Sequence, residues 1–189
     1  MKPETRKTEI ITKAAALFKD KGYSAVTMRD LATALGIKAA SLYNHIESKQ
    51  AILQDIILSI AEEFTTGMQD ILKEDSSSIN RLNQIIHLHV TIASRNADGM
   101  AALNTDWMHL ENKLDYYLSL RDTYEDNFRN IIIEGIESGE IKDENVEVIL
   151  FSMLSTLRSL YLWIPKKEDL NTQQLSHSLS TILINGINT

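Results

Sequence analysis

Between positions 38 and 49 the chain carries side chains of types that can read or grip a polyanion, among them Ser41, Tyr43, Asn44, His45 and Lys49. Hydroxyl, carboxamide and imidazole groups exchange hydrogen bonds with base edges, whereas a phenol and an ammonium suit phosphate oxygens. Leu42 and Ile46 recur four residues apart, so a helix over 38–45 would bury them and turn Lys38, Ala39, Ser41, Tyr43, Asn44 and His45 outward. Small residues such as Ala39 on that face would let the helix approach a groove closely. With Thr27 and Arg29 just upstream, these residues and Lys49 form the candidate DNA-contact set.

The elements that must hold this face are legible on either side. Thr27 is placed to cap a short helix, its hydroxyl accepting from a free backbone N–H, and Asp30 stands three residues on, where a carboxylate completes a capping box. Leu31, Ala32 and Leu35 give that helix one apolar face. Gly36 follows, where a residue without Cβ can adopt a left-handed conformation and turn the chain sharply. The pattern is that of a helix-turn-helix. Ser48 then reads as the N-cap of a third helix, so a phosphate near Lys49 would meet both a cation and free backbone donors. Upstream, Ile10, Ile11, Ala14, Ala15 and Phe18 recur at helical spacing, closed by Lys19, Lys21 and Gly22, and predict a bracing first helix. A plain packed helical subdomain with solubilising charges is the bland alternative, but capping, turn and outward residue types all agree on the reading module.

Gly22-Tyr23, Thr27 to Ala32, Leu35-Gly36-Ile37, Ser41 to Ile46 and Ser48-Lys49 together resemble the DNA-binding domain of the TetR family of bacterial transcriptional regulators. The resemblance covers about the first quarter of the chain in matching order and spacing. Two positions depart from the family pattern: Lys38 stands where a small capping residue is common, and Ile46 where an aromatic is common.

Composition sets the outer bounds. A chain of 189 residues with 43% hydrophobic residues is globular in class and long enough for one good core or two small ones. Neither a bilayer span nor a signal-peptide pattern is read in the chain, so a cytoplasmic protein without membrane contact is expected. The absence of cysteine excludes disulfides, thiolate catalysis and cysteine-ligated metals. A net charge of −7 conceals an asymmetry: residues 1–50 hold nine Lys or Arg against five Asp or Glu, and residues 51–189 hold ten against twenty-one. A basic head on an acidic body presents one end to a polyanion.

Beyond the head the periodicity is helical throughout, and no stretch alternates with period two for long enough to be a strand. An all-α fold of about nine helices is predicted: an N-terminal three-helix domain over residues 1–50 and a helical ligand-binding and dimerisation domain over 51–189. The expected body helices run over 51–72, 79–93 (ended at Asp98-Gly99), 110–135 (the longest), 146–164 (halted by Pro165) and Leu170 to Ile187. The domain boundary should fall inside the helix after Ser48, which could carry movement between modules.

Catalytic residues are not expected. His87 and His89 lie two apart, on nearly opposite helix faces, so they cannot make an i,i+4 metal pair; His89 reads as a core histidine. His109 and Glu111 have the same spacing, His177 stands alone, and no phosphate loop or nucleophile motif is present. No cofactor is expected. Asn104, Trp107, Met108, Tyr117, Tyr124, Phe128, Met153 and Leu157 could wall an apolar effector cavity, although ordinary core packing explains any one of them as well. The TetR resemblance implies a small-molecule sensor there that lowers DNA affinity. A looser resemblance, through Arg121-Asp122-Thr123-Tyr124, Phe128-Arg129, Ser138 to Ile141, Leu162 to Pro165 and Leu183 to Gly186, is to the C-terminal domain of a TetR branch associated with fatty-acid and sterol breakdown. It implies an acyl-coenzyme A effector, with Arg95, Arg121 or Arg129 on the phosphates, against surface ion pairing as the ordinary role of each. Finally, Leu150, Leu157 and Tyr161 with Leu175, Leu179, Ile182 and Leu183 supply more apolar surface than one core needs, predicting a two-fold homodimer on a pseudo-palindromic operator. The alternative is an all-helical interaction or scaffolding protein.

Overall fold

The computed structural model describes residues 6–167 and 171–187. The elements are α1 (Arg6–Lys21), α2 (Met28–Ala34), α3 (Ala39–Tyr43), α4 (Lys49–Lys73), α5 (Ser78–Arg95), α6 (Ala97–Thr105), α7 (Leu114–Glu137), α8 (Val146–Arg158), α9 (Leu160–Trp163) and α10 (Thr172–Asn185), with 3-10 turns at Tyr23–Ala25, Trp107–His109, Glu111–Lys113 and Ile164–Lys166. No strand occurs among the described residues, so the all-α expectation holds. The chain divides into two compact units, Met1–Ala61 with Asp98–Tyr117, and Glu62–Ala97 with Leu118–Thr189.

In the first unit α1 buries Ile10, Ala14, Ala15 and Phe18 and packs against α2, which packs in turn on α3. In the second unit α10 packs along α5, which also meets α8 and α9. Gly135 on α7 is needed for close approach: a Cβ there would stand 2.5 Å from Ile141 Cδ1 and 2.9 Å from Ser78 Cβ. The Glu140 carboxylate, in the same turn, accepts from the Ile79 N–H at 3.1 Å and caps the start of α5.

Several helix limits differ from the sequence expectation, each for a local reason. The Asp98-Gly99 pair does not end α5. The joint is Asn96, at φ −140° and ψ 56°, while Asp98 sits in the first turn of α6, where a carboxylate favours a helix N-terminus. The helix predicted over 110–135 starts only at Leu114, after Glu111 takes a left-handed φ of 50°, and its 24 residues fall one short of α4 with 25. The helix predicted over 146–164 breaks at Ser159 before Pro165 is reached. Ser152, Thr156 and Ser159 each donate a hydroxyl back to the carbonyl three or four residues earlier, and such bonds compete with the helical ladder. Counting α8 and α9 as the halves of that one helix recovers the expected number. Leu170, the predicted start of the last helix, lies outside the described residues; α10 begins at Thr172, capped by Asn171.

The second unit buries the His89–Tyr124 pair among apolar side chains. His89 Nε2 lies 2.9 Å from Tyr124 Oη, and Phe64 packs its ring 4.5 Å from the imidazole. Burial, with a smaller contribution from Arg158, pushes the imidazole pKa down from 6.5 to about 3, and burial pushes the Tyr124 phenol up. Because the folded-state value lies below the unfolded one, the unfolded chain holds the extra proton in between. Stability from this site is therefore fully present above pH 6.5 and drains as pH falls toward 3, at about 1.4 kcal/mol per pH unit. His89→Gln keeps a group able to meet Tyr124 but cannot titrate. Denaturant midpoints at pH 7 and pH 5 should fall more for the wild type than for His89→Gln; equal losses would show that His89 is not held neutral.

Candidate functional site

The candidate nucleic-acid face is built on a reciprocal cap. The Asp30 N–H donates to Thr27 Oγ1 at 3.2 Å, and the Thr27 N–H and hydroxyl donate to Asp30 Oδ2 at 2.9 and 2.6 Å. These bonds, the hydroxyl's first, hold the Asp30 carboxyl below the usual carboxylate range. Leu31 and Ala32 are buried, Gly36 turns the chain at φ 66°, and the Ile37 N–H closes back on the Ala32 carbonyl at 3.0 Å, a Schellman-type end. α3 is shorter than the expected 38–45. It spans Ala39–Tyr43, because Lys38 supplies no side-chain cap and the chain tightens into a turn at Asn44.

The outward face is present as the spacing implied. Leu42 and Ile46 are buried, Tyr43 is 54% exposed, and Arg29, Lys38, Asn44 and His45 are exposed, with Ala39 and Ser41 half-buried. Ala40, exposed on the same helix, was not in the predicted set. Thr27 is exposed, yet its hydroxyl serves the cap. Lys49 requires a correction. Its ammonium donates inward to the carbonyls of Tyr23 (2.9 Å) and Val26 (2.8 Å) and lies 4.3 Å from the Tyr23 ring centroid, so it is engaged by the loop leading into α2 rather than held out to phosphate. Ser48 caps α4 as read, accepting from the Ala51 N–H at 3.0 Å.

Tyr23 is the centre of this corner. Phe18 meets its ring edge-on at 5.2 Å and the His109 ring lies at the same distance, tilted by 31°. Its hydroxyl donates to Gln50 Oε1 at 2.6 Å. Burial, then the carboxylates of Glu111 and Asp106, push the phenol up, which keeps it a donor at neutral pH. Sequence reading missed Tyr23 and Gln50 as partners, since nothing along the chain signals a contact between residues 27 positions apart.

The predicted effector residues divide between the two units. In the first, Trp107 stacks on Tyr117 at 6.0 Å, and the Asn104 amide turns back to the Met100 carbonyl of its own helix at 2.7 Å. Met108 is corrected: it is 63% exposed, because residues 107–109 form a 3-10 turn that carries its side chain outward. In the second unit Tyr124, Phe128, Met153 and Leu157 are core residues, each under 9% exposed. Arg121 and Arg158 converge on Glu125, with contacts of 3.0 and 2.6 Å, at a cleft of about 320 Å³ walled by Leu150, Phe151 and Leu154. Burial pushes the Glu125 carboxyl up, but bonds from Arg158 and Arg121 outweigh it and leave the group below its usual range. Arg95 pairs with Glu63, and Arg129 with Glu147 and Asp126, the ordinary surface role.

The predicted dimer set is also corrected in part. Leu150, Leu157, Tyr161 and Leu175 are buried within the chain itself, and Leu179 and Leu183 are half-buried; of the seven, Ile182 is well exposed, at 71%. The free apolar surface on the same helices comes from Val148 and Phe151 on α8, Leu162 and Trp163 on α9, and Ile182 on α10. The period of a helix that is apolar nearly all round does not tell its core face from its outer one, which is how the two sets were exchanged.

Comparison with known proteins gives this geometry a lineage. The description "Bacterial regulatory proteins, tetR family" matches residues 10–56, and "Tetracyclin repressor-like, C-terminal domain" matches residues 75–187. The HTH-type transcriptional repressor KstR2 of Mycolicibacterium smegmatis is 25% identical over 197 residues, covering 98% of this chain and 92% of that protein. The fold is shared with the ketosteroid transcriptional regulator KstR2 of Mycobacterium tuberculosis, with a TM-score of 0.91 at 21% identity over 98% of this chain and 96% of that one. It is also shared with AibR solved in complex with isovaleryl coenzyme A and operator DNA, with a TM-score of 0.76 at 20% identity over 95% and 98%. With the C-terminal description alone spanning more than half of its residues, and the helix-turn-helix in place at its head, this chain belongs to the tetR family of bacterial regulatory proteins.

Proposed function

We propose that the protein is a transcriptional repressor that binds a pseudo-palindromic operator as a homodimer and releases it when a small hydrophobic effector, with an acyl-coenzyme A as the leading candidate, is bound. Residues 1–50 act as the reading head and residues 51–189 as the effector and dimerisation region, working in the bacterial cytoplasm. The observation that carries this reading is the exposed surface of α3 and the turn after it: Tyr43, Asn44 and His45 stand out while Leu42 and Ile46 anchor the segment on a core. A helix held in this way enters a major groove, and two copies read half-sites about 34–36 Å apart. Tyr43 on phosphate contributes affinity without sequence preference, while Ser41, Asn44 and His45 reach base edges.

For the effector, support comes from the Arg121–Glu125–Arg158 cleft. Its two guanidiniums stand beside two carboxylates, Glu125 and Glu147, so the support is the arginines' fork geometry rather than an excess of charge: phosphate accepts bidentate bonds from arginine more strongly than a neutral acceptor does. The apolar walls suit the rest of a thioester. Support from relatives is of the same kind: KstR2 is named as a repressor, and AibR has been solved with an acyl-coenzyme A. Dimerisation is assigned to the exposed apolar face of Val148, Phe151, Leu162, Trp163 and Ile182, since an outer patch of such residues marks an interaction surface.

Four measurements test these parts. In gel shifts, Tyr43→Ala should weaken binding across sequences by about 1.5 kcal/mol, roughly tenfold. Lys49→Met should lower the thermal midpoint while leaving the slope of log K against log salt unchanged; a slope reduced by about 1 would restore Lys49 as a phosphate ligand. If the wild type binds no duplex at low salt, the regulator reading falls. In sedimentation at micromolar concentration the wild type should be a dimer and Phe151→Glu a monomer, and a monomeric wild type would overturn the interface. Acyl-coenzyme A thioesters should raise the thermal midpoint of the wild type and raise it less in Arg158→Met; no thioester stabilising the wild type would remove that effector class.

A further inference from the structure

Within the first unit, a second set of bonds joins the start of α4 to residues 106–113, far along the sequence. The Gln50 carboxamide accepts from the Tyr23 hydroxyl at 2.6 Å through Oε1 and donates through Nε2 to the His109 carbonyl at 2.5 Å. One turn later, Gln54 Nε2 donates to the Leu110 carbonyl at 3.2 Å and to Asn112 Oδ1 at 3.0 Å. Between those two acceptors stands Glu111, at φ 50°, the one non-glycine among the described residues in the left-handed region. Such a conformation is costly for a side chain with a Cβ and persists only where its surroundings hold it. Here both neighbours are gripped by a single carboxamide, and Leu110 is fully buried. On the other side, the Tyr23 and Val26 carbonyls are held by Lys49, and Val26 leads directly into the Thr27–Asp30 cap of α2.

We propose that Gln50 and Gln54 form a latch that ties the strained 107–113 turn to the loop positioning the DNA-reading helices, so that the state of either one biases the other. The proposal rests on the DNA-reader assignment above and adds the element through which that reader is regulated. Gln50 is the selective member, because its two ends serve different partners. The acceptor end reaches the head through Tyr23, and the donor end reaches the turn through His109. Strain at Glu111 gives the turn a second, relaxed arrangement to adopt when the grip is lost, which is what a two-state coupling element requires. Coupling of this kind is reciprocal: whatever reorganises 107–113 changes DNA affinity, and DNA changes the turn.

The reciprocal half can be measured without knowing the effector. A duplex selected by the protein from a random-sequence pool is added, and amide hydrogen exchange is followed in 27–46, the reading helices, and in 107–113, where the His109, Leu110 and Lys113 amides are bonded within the turn. In the wild type both stretches should respond, with exchange in 107–113 changing at least about threefold. Gln50→Glu keeps an acceptor for Tyr23 but has no donor for His109, and Tyr23→Phe keeps the ring contacts without the hydroxyl. Each should retain protection of 27–46 by the duplex and lose the response of 107–113. Either variant suffices if the other fails to fold. A response of 107–113 that survives in a folded variant overturns the latch, as does a wild type in which the duplex protects 27–46 and leaves 107–113 unchanged; in both cases the DNA-reader assignment stands. If no pool duplex protects 27–46 in the wild type, that assignment fails and the latch with it.

Discussion

The head depends on one inward-facing cation. Lys49, the first residue of a 25-residue helix, gives its ammonium to two carbonyls of the loop at 23–26 and lies against the Tyr23 ring. The Tyr23 carbonyl also accepts from the Val26 N–H at 3.3 Å, so the ammonium adds a charged donor to a turn that is already closed and serves the Val26 carbonyl beside it. A charge-assisted bond to each, within a half-buried corner, is stronger than a neutral one and fixes the loop in a single position. From that loop follow, in order, the cap at Thr27, the turn at Gly36 and the presentation of α3. A residue whose type suggested a hand for phosphate instead positions the elements that do the reading.

The second unit is organised on a different balance. Its core holds the buried His89–Tyr124 pair, and burial of that pair excludes charge: the imidazole stays neutral and the phenol protonated. Around it the helices approach as closely as Gly135 permits against Ile141 and Ser78. Charge is kept at the rim, where Arg121 and Arg158 share Glu125, and apolar side chains that find no place inside collect on the outer face of α8, α9 and α10. One sequence pattern, helices rich in Leu and Ile, thus supplies both an internal core and an external face.

Local physical chemistry made much of this legible in the chain. The Thr27–Asp30 spacing announced a capping box, Gly36 a left-handed turn, and Leu42 with Ile46 the buried side of α3, because each is a relation between residues within one or two turns. His89 was readable as a core histidine from its place in the periodicity of α5. Errors gathered where two local signals compete. Ser159 broke a helix whose apolar period ran on, Asp98 opened a helix it had been taken to close, and Met108 faced outward because residues 107–109 form a 3-10 turn.

By itself the sequence determined the all-α class, the order of the helices, the reading motif and the charge asymmetry between head and body, since helix periods, caps and charges are properties of neighbouring residues. Tertiary structure alone decided which face of α8 and α10 lies inside and that Lys49 turns inward. It also decided that Tyr23, Gln50 and His109 meet. Those outcomes depend on which distant surfaces come together to exclude water and satisfy buried polar groups, and no spacing along the chain records that.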